Sequence, residues 1–202
     1  MSTGTDAPHV VAVSGSLANE SGTRVALRRA LSGARSRGAD TELIDLRDYE
    51  LPTFDSDEQD VGDAPEIRRK LGEADAILLG TPMYHGSYSS PLKTVLDYAG
   101  FDEFEGKTVG LVAVSGGRFP TPALEHLRSV VRALNAWTVP VQVGVPNSHE
   151  AFEFAGRSGE LVDDDMGDRL EELGSEVVRY AGVDEYESRV SGTTAGASKT
   201  ES

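Results

Sequence analysis

Two stretches hold most of the side chains that could do chemistry: Ser14-Gly15-Ser16-Leu17-Ala18-Asn19-Glu20-Ser21-Gly22-Thr23 and Thr81-Pro82-Met83-Tyr84-His85-Gly86-Ser87-Tyr88. In the first, Ser14, Ser16, Ser21 and Thr23 offer hydroxyl donors, and Gly15 and Gly22 let backbone N–H groups come close to a ligand. That set can hold a phosphate without a lysine. In the second, Pro82 stiffens the chain, Tyr84 and Tyr88 supply flat surfaces beside Met83 and His85, and Gly86 and Ser87 leave backbone open. A planar ring could lie against such a wall. A third stretch, Ser115-Gly116-Gly117-Arg118-Phe119-Pro120, can aim N–H groups at a ring edge where negative charge gathers on reduction.

Each stretch follows a strand-like apolar run and leads into a helix-like pattern. His9 to Val13 is β-branched, and Val25, Leu27, Ala30, Leu31 and Ala34 recur at helical spacing over Arg24 to Arg37. Thr41 to Leu46 reads as a strand, and Arg47 to Gly62 as a long exposed connection. A helix over Ala64 to Ala74, a strand over Ala76 to Gly80, a helix capped by Ser90 with Pro91 at its first position and running to Gly100, and a strand over Lys107 to Val114 follow. A helix over Thr121 to Ala136, a fifth strand over Val139 to Val145 and a last amphipathic helix from Asp163 to Gly182 complete the pattern. The fold class is therefore α/β: a doubly wound, five-stranded parallel sheet in the order 2-1-3-4-5. This order sets the loops after strands 1, 3 and 4 around one crevice. One domain over 1–186 is expected, and the small polar residues of 187–202 read as a disordered tail.

Composition narrows the chemistry. There is no cysteine, which excludes disulfides, thiolate metal sites and cysteine nucleophiles. A formal charge of −15 argues against nucleic acid and anionic membranes as partners. Met1 to His9 lacks the pattern of a secretory signal and no run approaches a membrane span, so a cytoplasmic location is expected. Asp55, Asp57, Glu58 and Asp60 lack the glycine and glutamate of a calcium loop and read as solvated, while His126 and His149 have no partners at metal-ligand spacing. Neither GxxxxGK[ST] nor GxGxxG is present. The three loops together ask for a tricyclic ring with a phosphate tail, which is FMN.

The chain resembles the NAD(P)H-dependent FMN reductase family of flavodoxin-like proteins over Val10 to Val145. Gly15-Ser16-Leu17 and Ser21-Gly22-Thr23 resemble its phosphate loop. Thr81 to Ser87, followed by Pro91 to Tyr98, is similar to its TPEYNGS segment and the helix after it, and Gly116-Gly117 with Leu127-Arg128 to its third element. The resemblance implies FMN bound by Ser14, Ser16, Ser21, Gly22, Thr23, Pro82, Met83, Tyr84, His85, Gly86, Ser87, Ser115, Gly116 and Gly117, with NADPH or NADH as hydride donor. It also implies a flavin, quinone, azo or metal-oxyanion acceptor and a homodimer or dimer of dimers. Ala18 stands where the family usually has an arginine, which leaves a phosphate dependent on neutral donors or on Arg24 as substitute. Met83 and His85 stand for its usual glutamate and asparagine. A flavodoxin-type electron carrier is the alternative function, and a fold relative that binds no flavin is a third.

Acid enrichment with lysine only at Lys70, Lys93, Lys107 and Lys199 points to a cytoplasm at molar salt, where self-repulsion is screened. Melting temperature should then rise from dilute buffer to concentrated KCl; equal values would remove the halophilic reading.

Overall fold

The β-branched run near the start forms β1 (His9–Ser14), and the helical periodicity after it forms α1 (Gly22–Ser36). Then come β2 (Asp40–Asp45), α2 (Ala64–Glu73), β3 (Ala76–Pro82), α3 (Ser90–Tyr98), a one-turn α4 (Phe101–Phe104) and β4 (Thr108–Val114). The chain continues through α5 (Thr121–Ala133), β5 (Trp137–Val145), a one-turn α6 (Ser148–Ala151), β6 (Phe152–Ala155), β7 (Ser158–Leu161) and α7 (Asp164–Tyr180). The computed structural model describes residues 7–181, and the tail expected over 187–202 lies outside them. Among the described residues no helix is long and apolar enough to cross a membrane.

The five long strands pair in parallel in the expected order, β2-β1-β3-β4-β5. Alternation along each strand sorts its side chains to two faces. Val11, Val13, Ile77 and Leu79 pack with Ile67 and Leu71 of α2, Leu92 and Val95 of α3, and Leu124 and Leu127 of α5. Val10, Ala12, Ala76 and Leu78 pack on the other side with Leu27 and Ala30 of α1 and Leu170, Leu173 and Val177 of α7. Thus α1 and α7 share one face. The outer strand β5 carries Pro140 inside a register shift opposite Gly110 of β4.

Two features were not legible as read. The segment between β5 and α7 holds α6 and the antiparallel β6–β7 hairpin, where the sequence reading placed no element. Ser90 is the first residue of α3 and not its cap; Ser89 holds the cap position, with its hydroxyl turned elsewhere.

Helices α1 and α7 cross at two glycines. A Cβ at Gly174 would lie 1.7 Å from the Ala30 carbonyl oxygen, and one at Gly33 would lie 2.0 Å from that of Glu171. Helix backbone blocks both, so a methyl group forces the helices apart. Gly174→Ala is expected to cost about 2 kcal/mol, lowering the melting temperature by about 4–8 °C in a thermal scan.

Candidate functional site

The ends of β1, β3 and β4 open at one edge of the sheet, and hydrogen bonds bind their loops into one unit. Gly15 N–H donates to the Gly80 carbonyl at 2.8 Å, and Ser89 Oγ donates to the Gly15 carbonyl at 2.7 Å. Ser89 N–H donates in turn to Thr81 Oγ1 at 2.8 Å, which fixes the second loop on the first. Ser21 caps α1, its Oγ accepting from Arg24 N–H at 3.1 Å. The first N–H groups of α1, those of Gly22 and Thr23, precede any intrahelical acceptor and remain available. The first turn of α1 contains no acid, so its positive end is not cancelled from within the helix.

Arg24 is 1% exposed and points behind the loop. Its Nη1 donates to Asp45 Oδ2 at 3.0 Å, at the end of β2. Its Nη2 donates to the Asn19 carbonyl at 2.6 Å and to the Arg157 carbonyl, in the β6–β7 turn, at 2.8 Å. Arg24 therefore does not substitute for a phosphate-binding arginine; its cation is spent inside the protein, with Nε buried and without a partner among the described residues.

The second loop is a tight turn in which Tyr84 and Ser87 exchange two backbone hydrogen bonds at 3.0 Å. His85 and Gly86 form its corner, with φ of 49° and 79°, the geometry of a two-residue hairpin turn. Tyr84 is 57% exposed, and Ser87 Oγ lies 3.0 Å from His126 Nδ1 on α5. In the third loop Ser115 Oγ accepts from Gly117 N–H at 3.0 Å, while the Ser115 carbonyl accepts from Ser148 N–H at 2.9 Å.

These loops border a cleft of about 570 Å³, within the usual size of small-molecule sites. It gathers Ser16, Ser21, Gly22, Thr23, Pro82, Met83, Tyr84 and Gly116 from the residues anticipated in sequence. Six others stand outside its wall. Ser14 is fully buried at the end of β1, His85 and Gly86 form the turn corner, Ser87 faces His126, and Ser115 is buried with its Oγ accepting from Gly117. Gly117 commits to Ser115 the N–H that was expected to meet a ring edge. Sequence reasoning missed Ser148, His149, Phe152 and Phe154, which also line the cleft. The alternation Phe152-Glu153-Phe154, broken by Gly156 and Gly159, is the signal that could have found the hairpin carrying two of them.

The family model of NADPH-dependent FMN reductases matches residues 8–150. The chain belongs to that family. It is 33% identical over 162 residues to the FMN-dependent NADPH-azoreductase of Staphylococcus aureus (strain USA300), covering 76% of this chain and 84% of the relative. An NADH:FMN oxidoreductase in its apo form shares the fold with a TM-score of 0.69 at 23% identity, covering 86% of this chain and 90% of that one. FerB, a flavoenzyme NAD(P)H:(acceptor) oxidoreductase from Paracoccus denitrificans, does so with a TM-score of 0.69 at 19% identity, covering 86% and 97%. As an FMN reductase family member, the chain is an FMN-dependent oxidoreductase supplied with electrons by a reduced nicotinamide nucleotide.

The donor set fits FMN. Ser16 Oγ and Ser21 Oγ each accept a backbone N–H, from Ala18 at 3.3 Å and from Arg24, so each hydroxyl keeps its own hydrogen for a phosphate oxygen. Pro82, Met83, Tyr84, Phe152 and Phe154 give the remaining wall an apolar surface suited to a flat ring.

Ion pairs anchor the hairpin of this FMN reductase. Arg157 Nη2 bonds Asp45 Oδ2 at 3.0 Å and Asp48 Oδ2 at 2.8 Å, and Nη1 bonds Asp48 Oδ1 at 2.9 Å. The Arg157 hydrogen bond, helped by the charges of Arg157, Arg24 and Arg47, holds the Asp48 carboxyl below its ordinary value. A carboxylate lowered in this way stabilises the fold above the unfolded pKa, about 4, and the contribution is lost as pH falls through the folded value. Asp48→Asn should flatten that part of the stability curve, read as melting temperature against pH below about 5.

Proposed function

We propose that this chain binds FMN in the cleft described above, with the phosphate on the loop after β1 and the ring against the loop after β3. One observation carries the reading: hydroxyls and free N–H groups at the start of α1 share a single cleft with the apolar surface of Pro82, Met83 and Tyr84. Ser16, Ser21 and Thr23, with the N–H groups of Gly22 and Thr23, hold the phosphate. Met83 and Tyr84 support one side of the ring, and Gly116 leaves open backbone beside it, since a Cβ there would find its nearest neighbour, His149 Nε2, at 3.7 Å. Phe152, packed beside Gly22, and Phe154 keep water from their part of the cleft. Bound FMN supplies the two-electron chemistry between the nicotinamide nucleotide and an acceptor.

The Staphylococcus aureus relative, named for NADPH, supports NADPH over NADH as donor, and its azoreductase name supports a small organic acceptor such as an azo compound, quinone or free flavin. Leu17, Tyr84 and Phe119, from three different loops, are 51%, 57% and 74% exposed at the edge of the sheet that holds the cleft. Apolar groups so placed favour a second copy covering the rim, hence a homodimer or dimer of dimers. A cytoplasmic setting at high salt accords with the acidic surface.

Anaerobic mixing of the protein with FMN and NADPH decides between enzyme and electron carrier. Loss of the visible absorbance of the flavin within the mixing experiment is expected; persistent colour with tightly bound FMN would favour the carrier, and absence of FMN binding would remove both.

A further inference from the structure

We propose that Arg24 and Arg47 shape the phosphate loop by gripping its carbonyls from behind, a positioning role that rests on the FMN reading above. Arg24 Nη2 donates to the Asn19 carbonyl, and Arg47 Nη1, from the turn after β2, donates to the Leu17 carbonyl. The peptides here are trans, and in a trans peptide the C=O and the N–H that follows it point to opposite sides. Carbonyls of residues 17 and 19 held toward β2 therefore turn the N–H groups of Ala18 and Glu20 the other way.

The cleft wall agrees with that alternation. Ser16, Ala18 and Glu20 border it, while Leu17 and Asn19 do not. Ala18 N–H engages Ser16 Oγ at 3.3 Å and so orients that hydroxyl, leaving its hydrogen for a ligand. Glu20 N–H joins those of Gly22 and Thr23 at the positive end of α1. Successive N–H groups turned to one side make an anion-binding concavity. Among the described residues no lysine or arginine borders the cleft, so both cations act on a phosphate through the backbone. Asp45 neutralises Arg24 where it is buried, whereas Arg47 is exposed and its removal strands no buried charge.

Arg24→Met would leave the buried Asp45 with a weakened ion network and risk the fold, so the test falls on Arg47→Met, with Arg47→Lys as the conservative variant. Binding of FMN and of riboflavin, which lacks the phosphate, is measured by quenching of flavin fluorescence in about 0.1 M and about 1 M KCl. The wild type should prefer FMN. Arg47→Met should reduce that preference about tenfold at both salt concentrations, as expected for losing a charge-assisted hydrogen bond, with riboflavin affinity unchanged. Arg47→Lys, which keeps a donor, should retain most of it. Equal weakening of both flavins would show a merely structural residue, and an effect that vanishes in concentrated salt would show a long-range field; either overturns the proposal, as does an unchanged preference. A wild type that binds neither flavin overturns the FMN reading and this role with it, which separates that failure from the others.

Discussion

A guanidinium cut off from water must find its counter-charge and its hydrogen-bond acceptors within the fold, and Arg24 finds them on three separate segments. Asp45 fixes the end of β2, the Asn19 carbonyl fixes the loop after β1, and the Arg157 carbonyl fixes the β6–β7 turn. One buried side chain on the first turn of α1 thus ties the loop after β1 to the hairpin that borders the cleft. Arg157 then extends the network outward to Asp48, joining the buried pair to a solvated one.

On the FMN reading proposed above, the cleft would hold its phosphate by local dipoles and not by overall charge. A chain of net charge −15 should repel a phosphate, yet such repulsion fades within about 8 Å at physiological ionic strength. What would act there at contact distance, although Glu20 also borders the cleft, is the start of α1, free of acids in its first turn, together with hydroxyls already oriented by the N–H groups they accept. Sheet order places this donor set beside the second loop, because β1 and β3 are neighbours and their loops leave the same edge. The Ser89 hydroxyl then locks one to the other.

Much of the fold could be read in sequence because its signals are periodic and long. Apolar runs such as Ala76 to Leu79 and the helical spacing of Leu124, Leu127 and Val131 fall within the observed elements, with boundaries moved by a few residues. The β6–β7 hairpin was not read because its strands have four residues each, only one of them faces the core strongly, and glycines interrupt the alternation. The site was partly legible for a related reason. Residue type announces a donor, as at Ser16 and Ser21, but not whether a donor is already engaged, as the Gly117 N–H is. For Arg24 the sequence shows a cation near a phosphate loop; only the fold shows that it points away and is neutralised by a residue 21 positions later.

Pro140 bears on how the molecule behaves among its own copies. An outermost strand exposes a row of unpaired backbone groups that invites a strand from another chain, the first step toward fibrillar aggregation. On β5 that row is broken mid-strand by a residue without an N–H, seated in the bulge opposite Gly110. An incoming strand would lose its ladder halfway along, so this flank of the sheet is guarded against polymerisation by its own covalent structure.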